Sequence, residues 1–208
     1  MLPKSWSICY ESLTARQGRR TFDERGEAQS GTDFLHVLYQ AVAKQNDVTM
    51  LSCFHEFEPV NAMQTDAKPK RLYTQLREAP RLICDPDAGA LFGRGEHRVV
   101  YYIEREMGNT GSTVVPKRKS PGYEELDLRG LCREHFPSTT WDHFFVLFVC
   151  PTTRWRDRFM QHAAATGKEI VTRWKAIAVE DASPERLLFE PVVRQLGEEN
   201  LLPLIPPQ

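Results

Sequence analysis

The stretch Arg81-Leu-Ile-Cys-Asp-Pro-Asp-Ala-Gly-Ala-Leu-Phe92, then Gly93-Arg94-Gly95-Glu96, then His97-Arg-Val-Val-Tyr-Tyr-Ile-Glu-Arg-Glu106, decides how the chain is read. Two apolar runs flank a Gly-containing tetrapeptide, which is the pattern of a β-hairpin. Side chains two apart on a strand share a face. Asp85 and Asp87 are therefore expected to project together, as are Glu104 and Glu106. The hairpin brings the two pairs side by side.

Carboxylates crowded in this way repel one another and are costly to bury without compensation. A divalent cation compensates them, and Mg²⁺ takes one or two carboxylates, completing its shell with waters and substrate phosphate. Such an ion polarises a phosphodiester and activates water. A plainer reading stands beside this one, because strand ends often carry acids and Asp-Pro-Asp is a common turn sequence.

Outward from the hairpin, helical spacing of Phe34, Leu35, Leu38, Tyr39 and Val42 predicts a helix over Thr32–Asn46. Val48–Glu58 reads as a strand, with Met50, Ser52, Phe54, Glu56 and Glu58 on one face. Asn61–Pro80 is a polar connection with a short helix expected around Arg71–Arg77. Arg81–Phe92 and His97–Glu106 are the second and third strands. Met107–Gly122, rich in Gly, Ser, Thr, Pro and Lys, reads as a loop, and Tyr123–Phe136 as a helix. Asp142–Pro151 is nearly continuously apolar, as a strand buried on both faces is. Thr152 or Thr153 caps a helix over Arg154–Ala165 that Gly167 ends. Glu169–Val179 is a further strand and Pro184–Leu196 a further helix.

The order α-β-β-β-α-β-α-β predicts a three-layer α/β domain with a mixed sheet over residues 31–197. Residues 1–30 are expected to form an irregular arm, anchored by Trp6 and Tyr10, and residues 198–208 a Pro-rich tail. That apolar tail can dock to a protein partner or pack on its own domain.

Composition narrows the class. With 41% hydrophobic and 26% charged residues the chain is an ordinary globular one, and its net charge of −1 argues against a histone-like binder held by charge alone. The longest apolar run, Phe144–Pro151, is too short to span a bilayer, and the first residues lack a signal-peptide core, so a cytoplasmic protein is expected. Five scattered cysteines with no CxxC pair read as reduced thiols rather than a zinc site. The histidines form no HExxH spacing, and no Walker A, GxGxxG or GxSxG motif occurs. Basic residues do cluster, at Lys68, Lys70, Arg71 and Arg77 and again at Lys117, Arg118 and Lys119, each a candidate DNA-contacting group or a solvated loop. Trp155 and Trp174, flanked by arginines, suit base stacking or a partly buried ring with a solvated rim.

Pro86-Asp87, a hairpin and Glu104-x-Glu106, set in this element order, resemble the PD-(D/E)xK nuclease superfamily over roughly residues 32–149. The resemblance implies a restriction-endonuclease-like core with Asp87 and Glu104 as ligands of Mg²⁺. The superfamily's lysine two residues on is Glu106 here, and Lys117 or Lys119 is positioned to supply its charge instead. Asp33, Glu56 and His36 are further groups able to approach the centre. Pro86-Asp87-Ala88, Tyr102-Ile-Glu104-Arg-Glu106-Met-Gly-Asn-Thr110, Lys119…Tyr123 and Thr153-Arg154 also resemble the replication-relaxation family of plasmid and mobile-element proteins. Together these imply a DNA-processing protein with Asp87, Glu104, Glu106 and Lys119 at its centre, able to cleave or nick DNA with Mg²⁺. The alternative is a DNA-binding or assembly subunit that retains the fold without the chemistry.

Overall fold

Among the described residues every strand but two joins one sheet, and the exception lies beside the acids singled out above. The computed structural model describes residues 31–56, 58 and 70–206. The expected arm, Lys68 and residues 61–69 of the expected 61–80 connection lie outside the described residues. Helix α1 (Gly31–Ala43) leads into β1 (Thr49–His55), β2 (Thr74–Arg77), β3 (Leu82–Cys84), β4 (Ala88–Arg94) and β5 (His97–Arg105). Helix α2 (Val114–Leu128), the short α3 (Cys132–His135), β6 (Phe144–Cys150), α4 (Thr153–Ala164), β7 (Trp174–Ala178) and β8 (Arg194–Gln195) follow.

The main sheet has the order β1-β4-β5-β6-β7-β8. β1, β4 and β5 are antiparallel, β5, β6 and β7 are parallel, and β8 returns antiparallel. The mixed α/β sheet read from the sequence is thus observed. The β4–β5 turn is Gly95-Glu96, with Gly95 at φ +58°, a value that glycine adopts without strain.

Apolar side chains fill both faces of the sheet. On one, Phe34, Leu35 and Leu38 of α1 meet Met50, Ala90 and Ile103, together with Leu187, Val193 and Leu204 from the C-terminal segment. On the other, Tyr123 and Leu126 of α2 and Phe159 of α4 meet Tyr102, Phe148 and Trp174. β6 is buried almost throughout, as its unbroken apolar run requires.

Several expectations are corrected. The single strand over Arg81–Phe92 is two strands in two sheets, because Pro86 has no N–H to give a ladder. β3 pairs instead with β2, so the residues read as a short helix around Arg71–Arg77 are partly strand. In β1 the register shifts between Met50 and Ser52. Met50 and Cys53 consequently share a core although they were assigned to opposite faces, and Leu51 is left exposed. Helix α2 begins nine positions before the expected Tyr123, at Val114. Pro116 falls in its first turn, where a missing N–H costs nothing, while Pro121 and Gly122 lie inside it. Gly122 is required there, since a Cβ would come within 2.8 Å of the Ile83 carbonyl oxygen.

Thr152 caps α4, accepting the Trp155 amide at 3.2 Å. Residues 169–173 form a 3-10 turn before β7. The helix expected over Pro184–Leu196 is instead a set of turns followed by β8, with Pro191 and two valines favouring extended chain. The tail packs on its own domain: Leu202 bridges Val193, and Leu204 and Ile205 are buried. Tyr101 and the Lys175 ammonium both donate to the Leu204 carbonyl, at 2.9 and 3.0 Å. Cys84, Cys132 and Cys150 are buried free thiols, whereas Cys53 is disulfide-bonded, against the expectation of a free thiol. Among the described residues no helix is long and apolar enough to cross a membrane.

Candidate functional site

The last ladder pair of the hairpin is Ala88 with Ile103, so the next positions along that register oppose Asp87 to Glu104. Ile103 points into the core shared with α1, which turns Glu104 to the opposite face, toward α2. Glu104 is only 2% exposed. An unpaired carboxylate in such a place would be very costly. Lys119 of α2 meets both of its oxygens, at 2.8 and 2.7 Å, and the Tyr123 hydroxyl donates to Oε1 at 2.6 Å. Lys119 and Tyr123 stand one helical turn apart, which lets both address one carboxylate.

Asp87 accepts the backbone amide of Arg105 at 2.7 Å through Oδ2. Glu106 continues past β5, its amide donating to the Val149 carbonyl at 3.0 Å. An open cleft of about 250 Å³ lies here, lined by Asp87, Glu104, Arg105, Glu106, Arg118 and Lys119 together with Met107, Asn109, Thr110 and Val115. Its lining balances three acids against three bases.

Burial dominates the electrostatics. It pushes Glu104 up to about 7 against the pull of Lys119, with Asp87 adding to the rise. Asp87 and Glu106 are raised for the same reason, opposed by the Arg105 amide and by Lys119 respectively. Burial works to lower Lys119, but the charge and hydrogen bonds of Glu104 outweigh it and hold the ammonium protonated. The pair is therefore ionised above neutrality, with Glu104 the member that yields first on acidification.

The residues expected at the site divide. Asp87, Glu104, Glu106 and Lys119 are brought together, and Arg118 joins them. Lys117 is exposed near the start of α2 and does not line the cleft. Asp85, expected beside Asp87, turns to a second charged group in which Lys70 meets Glu56 at 3.1 Å and Asp85 at 3.5 Å. The break at Pro86 is the reason, since β3 and β4 belong to different sheets. Lys70 is therefore committed to two acids, and the Arg71 guanidinium lies 4.3 Å over the Phe54 ring. His36 meets Gln40 at 2.8 Å on α1 and does not line the cleft. The Asp33 side chain and Lys68 lie outside the described residues. Trp174 is fully buried, and Trp155 stacks on Phe159 with Arg154 and Arg158 exposed around it.

Two contributors carried no assigned role in the sequence reading. Tyr123 stands in the Lys119…Tyr123 resemblance without a role, and because residues up to Gly122 read as loop its place one helical turn from Lys119 carried no structural meaning there. The Arg105 amide carries no signal in residue type at all. Among the described residues no group of three or more His, Cys, Asp or Glu is placed to hold a metal ion. Two carboxylates are nevertheless within what a Mg²⁺-type ion uses. Comparison of the chain with protein-family models, with curated proteins and with solved structures finds no match.

Proposed function

We propose that this chain is a DNA-processing protein with a PD-(D/E)xK-like, restriction-endonuclease-like core, whose cleft is a centre for phosphodiester cleavage or nicking with Mg²⁺. One observation carries the reading: a buried acid, Glu104, opposes Asp87 at the base of an open cleft and is met there by a lysine from the neighbouring helix. An acid pair with a nearby lysine is the minimum set for this chemistry, and Lys119 stands in for the lysine that Glu106 displaces in sequence. Asp87 and Glu104 would hold the ion, which supplies polarisation of the phosphodiester and an activated water. Lys119 and Arg118 neutralise phosphate charge, and Tyr123 fixes the Glu104 carboxylate. The assignment to a plasmid or mobile element rests on the resemblance to the replication-relaxation family.

The test is conversion of supercoiled plasmid to nicked or linear DNA with Mg²⁺ and with EDTA. Cleavage that needs the ion and is lost in Asp87→Asn and Glu104→Gln is expected. Cleavage that survives both substitutions overturns the assignment.

A second reading is favoured by the Glu104 contacts themselves. Both of its oxygens are already taken, by Lys119 and Tyr123, as in a closed structural ion pair. On that reading the chain binds DNA without cutting it. Salt-dependent binding weakened by Lys117→Ala and Arg118→Ala, with no cleavage under any divalent ion, would select it.

A further inference from the structure

Trp155 stands among arginines in the sequence, and it takes no part in the cleft. Its ring lies 5.3 Å from that of Phe159 at an angle of 12°, and Phe159 lies 5.9 Å from Trp174 at 4°. Three near-parallel rings thus rise from the core, where Trp174 and Phe159 are fully buried, to the surface, where Trp155 is half-buried. Phe159 covers one face of Trp155, so the exposure of that ring falls on its other face and its edge. A large ring held rigidly at the surface is a platform for another flat ring.

The surroundings of this platform are positive. Helices α2 and α4 follow the parallel strands β5 and β6, start at the same end of the sheet and pack side by side. Glu124 of α2 pairs with Lys168, just beyond the end of α4, so that side of α2 faces α4, and Lys117 lies on it two turns earlier. On α4, Asp157 meets Arg194 of β8 at 3.8 Å, which puts Trp155 on the opposite side, toward α2, with Arg154 and Arg158 flanking it. Lys117, Arg154 and Arg158 are exposed, and among the described residues none of them has an ion-pair partner. By contrast Lys119 is paired with Glu104, and Arg156 with Asp157 and Asp181. Acids at this end of α4 are engaged as well: Glu180 accepts the Thr153 amide at 3.1 Å, and Asp157 takes Arg156.

We infer that the α2–α4 face is a track for single-stranded DNA, on which Trp155 stacks an unpaired base and Lys117, Arg154 and Arg158 hold the phosphates beside it. Bases within a duplex have both faces covered by their neighbours and give such a ring nothing to stack on, whereas every unpaired base offers a π face. Arg118, next to Lys117, lines the cleft, so a strand held on this face runs toward it. The inference rests on the DNA-binding part of the reading above, needs no metal ion, and names the form of DNA that the chain takes.

Fluorescence anisotropy of a short labelled oligothymidylate, titrated with the full chain in EDTA, tests the track without recourse to cleavage. The strand is expected to bind more tightly than a blunt duplex of the same length, and more tightly than an abasic strand of the same charge, each on the order of tenfold. Equal binding of the abasic strand overturns the inference, since charge alone then accounts for the affinity. Equal or tighter binding of the duplex also overturns it, while the DNA-binding reading stands. Trp155→Leu is expected to weaken strand binding on the order of tenfold, and Trp155→Phe to restore most of the loss. A folded Trp155→Leu chain that binds as tightly as the native one sinks the track. Because Trp155 is half-buried, the exposed triple variant Lys117→Ala, Arg154→Ala, Arg158→Ala gives an independent measure. Its slope of log affinity against log salt is expected to be shallower by about 2. An unchanged slope removes these cations from the track and overturns the inference. If neither strand nor duplex binds, the track and the DNA-binding reading fall together.

Discussion

Tyr123 donates its hydroxyl to Oε1 of Glu104 at 2.6 Å, and both residues are shut away from solvent. A hydrogen bond to a buried charged group is worth about 1.5–3 kcal/mol. Tyr123→Phe is expected to lose stability of that order in urea denaturation. The same bond holds the acid's pKa down, so its removal raises Glu104 further. The pH midpoint of the stability profile should then shift upward in the variant.

Glu104 inverts the usual dependence of a carboxylate. Its folded pKa, about 7, lies above the ordinary 4.5, so the folded chain holds a proton that the unfolded chain has released between those values. The stability it contributes is complete below about 4.5 and is lost as pH rises through about 7. Asp87 and Glu106 act in the same direction. Thermal melts from pH 5 to 8 should show a decline that is shallower in Glu104→Gln. An identical slope in both proteins would contradict the assignment to this residue.

Gly122→Ala tests how α2 is seated. Alanine is favoured over glycine inside a helix by about 0.8–1 kcal/mol. Here its methyl group would lie 2.8 Å from the Ile83 carbonyl oxygen, a backbone atom that cannot rotate away. Overpacking of this kind costs about 1–3 kcal/mol, so the variant should be less stable than its helix propensity implies. Because Lys119 lies one turn earlier on α2, its contact with Glu104 should loosen as well. Chemical denaturation measures the first effect, and the pH profile just described measures the second.

Lys175 is 3% exposed, and among the described residues its ammonium meets Tyr101, the Phe145 ring and the Leu204 carbonyl. Burial lowers its pKa from 10.5 to about 8. Between those values the unfolded chain binds the extra proton, so this group adds stability as pH rises through that window. Lys175→Met removes the buried charge while Tyr101 still satisfies Leu204. A gain of about 1 kcal/mol, roughly 2–4 °C in Tm, is expected at pH 7. The rise in stability from pH 8 toward 10 should flatten. A lower Tm would show that the ammonium's bond to Leu204 outweighs its desolvation.

The hairpin and its acids were legible because strand alternation and a short Gly turn leave little freedom between Ala88 and Ile103. β6 was equally plain, since an unbroken apolar run suits few positions outside the middle of a parallel sheet. What failed was governed by tertiary contact. Helix α2 was obscured because Pro116, Pro121 and Gly122 are loop-forming residues by local preference, and only the approach to β3 explains the last of them. The bulge at Met50 and Ser52 adds one residue to a strand whose composition is unchanged, so face assignments slipped. Asp85 was paired with Asp87 on spacing alone, and the backbone turns between them at Pro86. The link between Asp87 and Arg105 runs through a main-chain N–H, which every residue except proline possesses.

The lining of the cleft comes from one uninterrupted stretch of chain, Asp87 to Lys119, carried on a hairpin and the front of the helix that follows it. All of its parts precede the parallel strand β6 in the chain. The acids and their lysine are thus close in sequence, and the later strands β6 and β7 supply the apolar backing on which α2 rests. β7, β8 and the turns after them contribute no residue to that lining.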